Sequence, residues 1–505
     1  MNLKLRKLAA AFMLTGTAAG AYAGALPESQ TANDWYQTGN ELVEQKAMQA
    51  RNLNTAKNVI LFVGDGMGVS TLTAARILEG QLQGETGEEN FLSFETFPNT
   101  ALVKTYNTDQ QTPDSAGTMT AMMTGVKNRA GMLNLGPMAE RGECDQVSGN
   151  ELTTALTLAE RKGKATGVVS TARITHATPA ATYSVSPDRD WEDDSKLPEA
   201  SNCVDIAQQL VNYSEGNGIE VVLGGGLRHF KPNTDGGRRT DGQDLTQVWL
   251  DNANGETREF VSNVTELNNL DVANTDKVMG LFTSSHMSYE EDRDGDVEPS
   301  LAEMTETAID LLKKDEQGFF LTVEAGRIDH GHHAGNAYRA LTDTHALAKA
   351  VQAAVDNTSR DDTLIIVTAD HSHVFTIAGY PKRGNPILGK VVDVNDTIAT
   401  GSDNLPYTTV GYMNGPGFAE LATGGDDRYQ QAVHTDGRVD LTNINTEGQG
   451  FHQESLVPRS SETHAGEDIT IHAMGPGSHL FSGVIEQNEV FHVINEAADL
   501  GGEQY

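Results

Sequence analysis

Four apolar runs of the sequence lead directly into residues that can bind metal ions or move protons. The runs occupy residues 58–63, 166–170, 319–323 and 364–368. The carboxylate, histidine and hydroxyl residues that follow them are Asp65, His176, Thr178, Glu324, Asp329, His330, His333, Asp370 and His371. In parallel α/β sheets, ligands bind beyond the carboxyl ends of the strands. If the runs are parallel strands, these side chains meet at one edge of a sheet.

Two pairs of these residues have the spacing of metal ligands. Asp329 and His333 are four residues apart, so a helical turn would place both side chains on one face. Asp370 and His371 offer the same two ligand types at the end of an apolar run. Either pair alone would more often be a surface salt bridge. Together with His464, the pairs suffice for two zinc ions that keep positions open for a substrate.

A serine lies where a nucleophile would be favoured. Ser115, in the run Asp114-Ser115-Ala116-Gly117, precedes a helix-like stretch over 118–123. A serine at a helix start is most often only a cap. The positive end of the helix would also favour an alkoxide and an incoming phosphoryl group, and a bound zinc could hold the hydroxyl deprotonated. The sequence has no Gly-x-Ser-x-Gly elbow and no Walker loop, which argues against an ordinary esterase and a nucleotide-driven motor.

The elements that must position these residues alternate along the chain. Short β-rich runs, including a further one at 220–223, alternate with amphipathic stretches such as those that start at Leu301 and Tyr338. Pro299 precedes the first of these stretches and suits the first turn of a helix. The alternation predicts an α/β fold in which crossover helices connect the strands of a sheet.

A change of composition divides the chain. Residues 379–463 are rich in Gly, Asp and Asn and lack helical periodicity, apart from a strand-like run at 407–413. We expect this segment to be a cap inserted into a core made of residues 24–378 and 464–505. Before the core, residues 33–50 predict a helix with its first residue as the N-cap.

The N-terminus and the charge of the chain bear on its location and partners. Residues 1–23 combine a basic start, an apolar run over 8–14 and the small residues of Ala21-Tyr22-Ala23, which predicts a signal peptide and export to the periplasm or the medium. No later stretch has the length and apolarity of a membrane span. The sequence of 505 residues holds 36 Lys and Arg against 71 Asp and Glu, with a formal net charge of -35. An acidic surface of this kind disfavours nucleic acid and anionic membranes as partners.

Cys144 and Cys203 are the only cysteines of the sequence. Two cysteines exclude a zinc site of four thiolates. In an oxidising compartment they most simply form one disulfide, and the alternative is a pair of inert buried thiols.

From residue 58 to the C-terminus the sequence resembles the alkaline phosphatases. Five motifs carry the resemblance: Val63-Gly64-Asp65-Gly66-Met67-Gly68, Asp114-Ser115-Ala116, the run 324–333 from Glu324 to His333, Thr368-Ala369-Asp370-His371-Ser372-His373 and Thr463-His464-Ala465-Gly466. The resemblance implies hydrolysis of phosphate monoesters, with Ser115 as the nucleophile that becomes phosphorylated. With it, the expected fold is a three-layer αβα arrangement around a large, mostly parallel sheet.

The resemblance also implies the metal ligands. Two zinc ions and one magnesium ion are expected per chain. The first zinc would be bound by Asp329, His333 and His464. The second would be bound by Asp65, Asp370, His371 and the Ser115 oxygen. Magnesium would be bound by Asp65, Thr178 and Glu324, whose hard oxygen atoms suit this ion.

Further residues match positions that matter in the family. Arg189 stands where the phosphate-binding arginine is expected, and a planar guanidinium can hold two phosphoryl oxygens at once. His176 and His330 lie beside the third metal, as is typical of animal members. Thr283 stands where the calcium site of animal members has a carboxylate, so we do not expect that site. The resemblance suggests a homodimer with the cap and the N-terminal helix near the interface.

The same residues argue against three rival functions. A sulfatase needs Pro and Arg at the second and fourth positions after its modified residue, where this chain has Gly117 and Met119. A phosphodiesterase usually lacks a third metal, for which Thr178 and Glu324 are ligands here. A noncatalytic, acidic metal-binding protein would have no need of Ser115. A phosphate monoesterase is therefore the favoured interpretation.

Overall fold

The computed structural model describes residues 26–199, 201–418 and 438–501. The predicted signal peptide lies outside the described residues. The described residues before Asn52 belong to a unit of their own, with helices α1 (Glu28–Thr31) and α2 (Asp34–Ala47). The Asn33 side chain accepts a hydrogen bond from the Trp35 backbone N–H at 3.0 Å, so the predicted N-cap is confirmed.

The rest of the described chain is built around a ten-stranded sheet. Its strand order is β15-β2-β14-β8-β1-β7-β3-β4-β6-β5. The strands of the described chain are β1 (Asn58–Gly64), β2 (Asn99–Lys104), β3 (Ala165–Arg173), β4 (Val221–Gly225), β5 (Arg258–Val261), β6 (Lys277–Leu281), β7 (Phe319–Ala325), β8 (Thr363–Ala369), β9 (Ser372–His373), β10 (Phe375–Ile377), β11 (Val410–Gly415), β12 (Ser455–Pro458), β13 (His464–Ala465), β14 (Ile469–Met474) and β15 (Gly483–Glu486). The predicted α/β fold with a large, mostly parallel sheet is confirmed.

Strand pairing brings the ends of the central strands to one edge. Strand β1 pairs in parallel with β7 and β8, and its last residue, Gly64, lies opposite Ala325 and Ala369. On the other side of β7, Ser170 of β3 lies opposite Glu324. Among the described strands of this sheet only β14 runs antiparallel to its neighbours β2 and β8. The residues that follow β1, β7 and β8 therefore start from the same level of the sheet.

Helices cover the sheet and complete the three layers. The remaining helices are α3 (Val69–Leu82), α4 (Ser115–Thr124), α5 (Ala155–Arg161), α6 (Ala177–Tyr183), α7 (Ile206–Val211), α8 (Leu245–Asp251), α9 (Val264–Asn268), α10 (Leu301–Leu312), α11 (Arg327–His333), α12 (Ala337–Asn357) and α13 (Glu489–Ala498). Helices α3, α10 and α11 each pack against α12, and helices α4, α5, α6 and α13 form a second group of contacting helices. Within the described residues, none of the helices is long and apolar enough to cross a membrane.

The start of α10 lies later than the first-turn position expected for Pro299. The helix begins at Leu301 and Ser300 is its N-cap, so Pro299 precedes the helix. The Ser300 hydroxyl accepts from the Glu303 N–H at 3.2 Å, and the Glu303 carboxylate accepts from the Ser300 N–H at 2.7 Å. This reciprocal pair satisfies two N–H groups at once, so the first helical residue lies two positions after the proline.

The Gly-rich segment contributes two strands to a small second sheet. Strands β10, β11 and β12 form it in that order, with β10 antiparallel and β12 parallel to β11, and β10 lies just before the segment. The strand expected at 407–413 is found as β11, which begins three residues later than expected. The limits of the cap at 379 and 463 stay a prediction.

Cys144 and Cys203 are joined by a disulfide, with Cα atoms 5.6 Å apart and 59 positions between the two residues. In the chain-entropy model a loop of this length stabilises the folded state by about 4 kcal/mol. We expect the double variant Cys144→Ser/Cys203→Ser to lose about that much free energy of unfolding in a urea titration. Each single variant should lose a similar amount, because either one opens the loop. Thiol titration of the denatured, unreduced parent should find no free thiol, and finding two would contradict the pairing.

Candidate metal centre and nucleophile

The turn after β1 allows the site to close. Gly66 has φ +72°, and a Cβ atom at this position would collide with the His373 ring. The Gly66 N–H donates to Asp370 Oδ1 at 2.9 Å, which ties the end of β1 to the residue that follows β8. A glycine is required here both for its backbone conformation and for the space that the histidine occupies.

A first group of ligands surrounds the Asp329 carboxylate. Oδ1 of this residue lies 2.8 Å from His373 Nε2, 3.2 Å from His333 Nε2 and 3.4 Å from His464 Nε2. Asp329 and His333 share a face of α11, as their spacing predicts. His464 comes from β13, more than a hundred residues later, and is brought in by the pairing of β13 with β9.

The tautomers of two of these histidines indicate a cation. His333 Nδ1 donates to the Glu462 carbonyl at 2.6 Å, and His464 Nδ1 donates to the Pro113 carbonyl at 2.8 Å. Each ring therefore carries its proton on Nδ1 and presents a lone pair at Nε2. The two Nε2 atoms are 3.2 Å apart and both face the same carboxylate oxygen. Lone pairs that converge in this way fit a bound cation between them.

A second group of ligands lies beside Ser115. His371 Nε2 is 3.1 Å from Asp370 Oδ2, 3.5 Å from Asp65 Oδ1 and 3.2 Å from Ser115 Oγ. Neither carboxylate oxygen of Asp65 meets a hydrogen-bond donor of the described residues. Burial, and then the charges of Asp370 and Asp329, raise the pKa of Asp65 well above its ordinary value. A buried carboxylate that meets no hydrogen-bond donor among the described residues is suited to bind a divalent cation.

A third group includes Asp65 again, with His176 and Glu324. The Ser170 hydroxyl donates to one Glu324 oxygen, and Glu324 Oε1 has no hydrogen-bond partner among the described residues. Burial raises the pKa of Glu324 to about 8, against the opposing hydrogen bond of Ser170. Asp65 thus lies between the second and the third group, in reach of both.

Ser115 is the first residue of α4, with 3% of its surface exposed. Asp114 is the N-cap, because its side chain accepts from the Gly117 N–H at 3.1 Å. The alternative in which Ser115 is the cap is therefore wrong, and its hydroxyl faces the candidate ligand His371. The positive end of the ten-residue helix also lies at this hydroxyl.

Arg189 lies on the other side of Asp114. Its Nη1 donates to Asp114 Oδ2 at 3.0 Å, and its Nη2 is 3.2 Å from His176 Nε2. Burial alone would raise the pKa of Asp114, but Arg189 and two backbone N–H groups hold that pKa below its ordinary value. The ionised Asp114 carboxylate keeps the guanidinium beside the start of α4.

The structure adds three residues that sequence analysis missed. His373 contacts Asp329, Glu462 contacts His373, and the ring of His286 lies 4.1 Å from that of His330, measured between centroids. The histidine of Asp-His-Ser-His is visible as a motif, but its default interpretation is a hydrogen-bonded core residue. Nothing in the sequence around His286 or Glu462 indicates a role at the site.

The sheet and the carboxylate and histidine groups at its edge define the class of the protein, an α/β metalloenzyme. Comparison with known proteins narrows this class. A model of the family described as alkaline phosphatase matches residues 56–500. The tissue-nonspecific alkaline phosphatase of Gallus gallus is 44% identical over 508 residues, covering 97% of this chain and 94% of that protein. The corresponding human isozyme is 44% identical over 469 residues, covering 90% of this chain and 86% of that protein.

A solved structure agrees with these sequence comparisons. The alkaline phosphatase of Thermus thermophilus aligns with a TM-score of 0.65 and 25% identity, over 95% of this chain and 97% of that one. The chain belongs to the alkaline phosphatase family.

Proposed function

We propose how this member of the alkaline phosphatase family, a phosphoric monoester hydrolase, carries out its reaction: Ser115 attacks the phosphorus of a phosphate monoester and is phosphorylated. The observation that carries the proposal is the Ser115 hydroxyl, 3.2 Å from His371 Nε2 in the second ligand group and at the start of α4. Ser115 thus combines a nucleophilic oxygen, a ligand neighbour and a positive helix end.

Each ligand group would hold one ion. We assign a zinc ion to Asp329, His333 and His464, and a second zinc ion to Asp65, Asp370, His371 and Ser115. We assign magnesium to Asp65, Thr178 and Glu324. When bound, such ions lower the pKa of the hydroxyl and water oxygens they contact and neutralise charge on the phosphoryl group.

The chain's own residues carry the two chemical steps. In the first, the Ser115 hydroxyl loses its proton to solvent, a bond forms between Ser115 Oγ and phosphorus, the ester P–O bond breaks, and the alcohol leaves with a proton from solvent. In the second, a water oxygen attacks phosphorus and loses a proton, the bond to Ser115 breaks, Ser115 Oγ regains a proton, and inorganic phosphate leaves. Arg189, held by Asp114, binds phosphoryl oxygens in both steps and keeps the group in line with the nucleophile.

The location and assembly of the enzyme form part of the proposal. Export to the periplasm or the medium follows from the predicted signal peptide, and the disulfide supports an oxidising compartment. We also propose a homodimer. Apolar side chains exposed on α2, such as Trp35 at 72% and Val43 at 65%, support a protein contact for this helix.

Trapping of the intermediate tests the proposed function. Holoenzyme is mixed with labelled phosphate at mildly acidic pH, quenched and digested, and the label is located by peptide mapping. We expect the label on Ser115, with zinc and magnesium content measured beside hydrolysis of an aryl phosphate. A protein that binds metals without hydrolysing the ester would instead be a metal-binding protein. Label on another residue, together with diester hydrolysis, would favour a phosphodiesterase.

A further inference from the structure

Glu462 is a buried carboxylate beside the first ligand group. Only 1% of its surface is exposed. Its Oε1 accepts from the Val374 N–H at 2.8 Å, and its Oε2 lies 2.6 Å from His373 Nδ1 and 3.8 Å from His333 Nδ1. Both carboxylate oxygens are therefore used, and their two hydrogen bonds reach β9 and the residue that follows it.

His373 connects Glu462 to the first ligand group. The other nitrogen of its ring, Nε2, lies 2.8 Å from Asp329 Oδ1. The ring thus connects two carboxylates, one of them the proposed zinc ligand. The backbone of Gly66 also packs closely against this ring, since a Cβ on Gly66 would collide with it. With both nitrogens engaged, the ring cannot rotate without losing one carboxylate, so Glu462 sets the direction from which Asp329 is held.

The backbone of Glu462 orients a second ligand. Its carbonyl accepts from His333 Nδ1 at 2.6 Å, and its N–H donates to the His333 carbonyl at 3.0 Å. The third ligand, His464, follows two residues later in the chain. Glu462 is therefore connected to all three proposed ligands of the first zinc ion. It contacts Asp329 through His373, it is hydrogen-bonded directly to His333, and it lies two residues before His464 in the chain.

We propose that Glu462 is the positioning residue of the first zinc site, acting on Asp329 through His373. The proposal rests on the ligand assignment of the proposed function. Hydrogen-bonded partners behind metal ligands set the orientation and the basicity of those ligands, and their loss typically costs 10- to 100-fold in metal affinity, as an order of magnitude. A carboxylate offers two acceptor oxygens for these two contacts, whereas a glutamine offers one, with an NH₂ group in place of the other.

The residues after β13 provide a matched control. Glu467 lies five positions after Glu462, is exposed, and accepts from the Ser372 hydroxyl at 2.5 Å rather than from a histidine. Glu462→Gln and Glu467→Gln remove the same charge on either side of β13. Only the first change alters a hydrogen bond to a side chain that itself contacts a proposed zinc ligand.

The experiment measures zinc release from the holoenzyme to a chelator. We expect release from Glu462→Gln to be faster than from the parent by about 10- to 100-fold, and release from Glu467→Gln to match the parent. In protein loaded with cobalt(II) instead of zinc, the visible absorption spectrum of Glu462→Gln should change because the ligand geometry changes. Glu462→Asp keeps the charge and should recover part of the lost retention.

A double-mutant cycle shows whether the effect passes through His373. If it does, adding Glu462→Gln to His373→Ala should accelerate zinc release by less than about threefold, since coupled residues are not additive. Full additivity, or parent-like release and an unchanged spectrum in Glu462→Gln, would overturn the proposal. If Glu462→Gln does not fold, Glu462→Asp takes its place in the cycle with His373→Ala. Parent-like zinc release from Glu462→Asp, together with additive effects in that cycle, would then overturn the proposal. Failure of the ligand assignment is a separate result, in which Asp329→Asn releases zinc no faster than the parent.

Discussion

Replacing Ser115 by alanine is expected to lower kcat for an aryl phosphate by at least about 1,000-fold while the protein keeps its fold and its metal ions. The change removes the oxygen that accepts the phosphoryl group, but the other proposed ligands of both zinc ions come from other residues. Helix α4 should be unaffected, because Asp114 and not Ser115 caps it. Steady-state kinetics, metal analysis and thermal unfolding of the variant measure the three expectations.

Thr124→Ala is the control for this variant. Thr124 is the last residue of the same helix, and its hydroxyl donates to the Thr120 carbonyl at 2.7 Å. We expect its kcat to stay within about twofold of the parent, since its hydroxyl lies at the end of the helix away from the ligands. Ser115→Ala should still bind phosphate through Arg189, and labelled phosphate should not become covalently attached to it. Undiminished turnover in Ser115→Ala would contradict the serine mechanism.

Replacing Asp65 by asparagine is expected to empty two metal sites at once. Asp65 belongs to the second ligand group and to the third, and its oxygens meet no hydrogen-bond donor of the described residues. An amide has neither the charge nor the second oxygen that two ions would share. The metal content should fall from three ions per chain to one. Loss of several kcal/mol of charge stabilisation corresponds to a fall in kcat/KM of about 1,000-fold.

Asp343→Asn provides the matched change elsewhere in the core. Asp343 is also buried, at 3% exposure, and burial raises its pKa to about 8. The carboxyl group is therefore already neutral at pH 7, and an amide of nearly the same shape can still accept from the Glu290 N–H. We expect parent-like metal content and activity from this variant. If Asp65→Asn retained three ions as well, the shared-ligand assignment would be wrong.

Repeated local patterns made much of the fold predictable. The central strands β1, β3, β7 and β8 are short, β-rich segments that are buried almost throughout, since both faces of a parallel sheet are covered by helices. Five other strands of the same sheet are not predicted by the sequence analysis: β2, β5, β6, β14 and β15. Strand β14 lies between β2 and β8, and its His472 interrupts the apolar run, so its sequence does not have the pattern of a buried strand.

The candidate site also has a part that local sequence patterns predict and a part that they do not. Asp329 and His333 share a helical turn and Asp370 and His371 are neighbours, so their closeness is a consequence of local geometry. The resemblance to the alkaline phosphatases then joined these pairs to Asp65 and His464. The disulfide could be expected because the chain has only two cysteines.

By itself, the sequence determined which residue types stand at the ends of the strands, and with them the family and the chemistry. Only the tertiary structure decided how those residues are held. His373 reaches Asp329 across 44 positions of the chain and Glu462 across 89, and Arg189 reaches Asp114 across 75. The physical reason is that helix and strand patterns have periods of a few residues, whereas these contacts depend on which strands become neighbours and on which tautomer each buried histidine adopts.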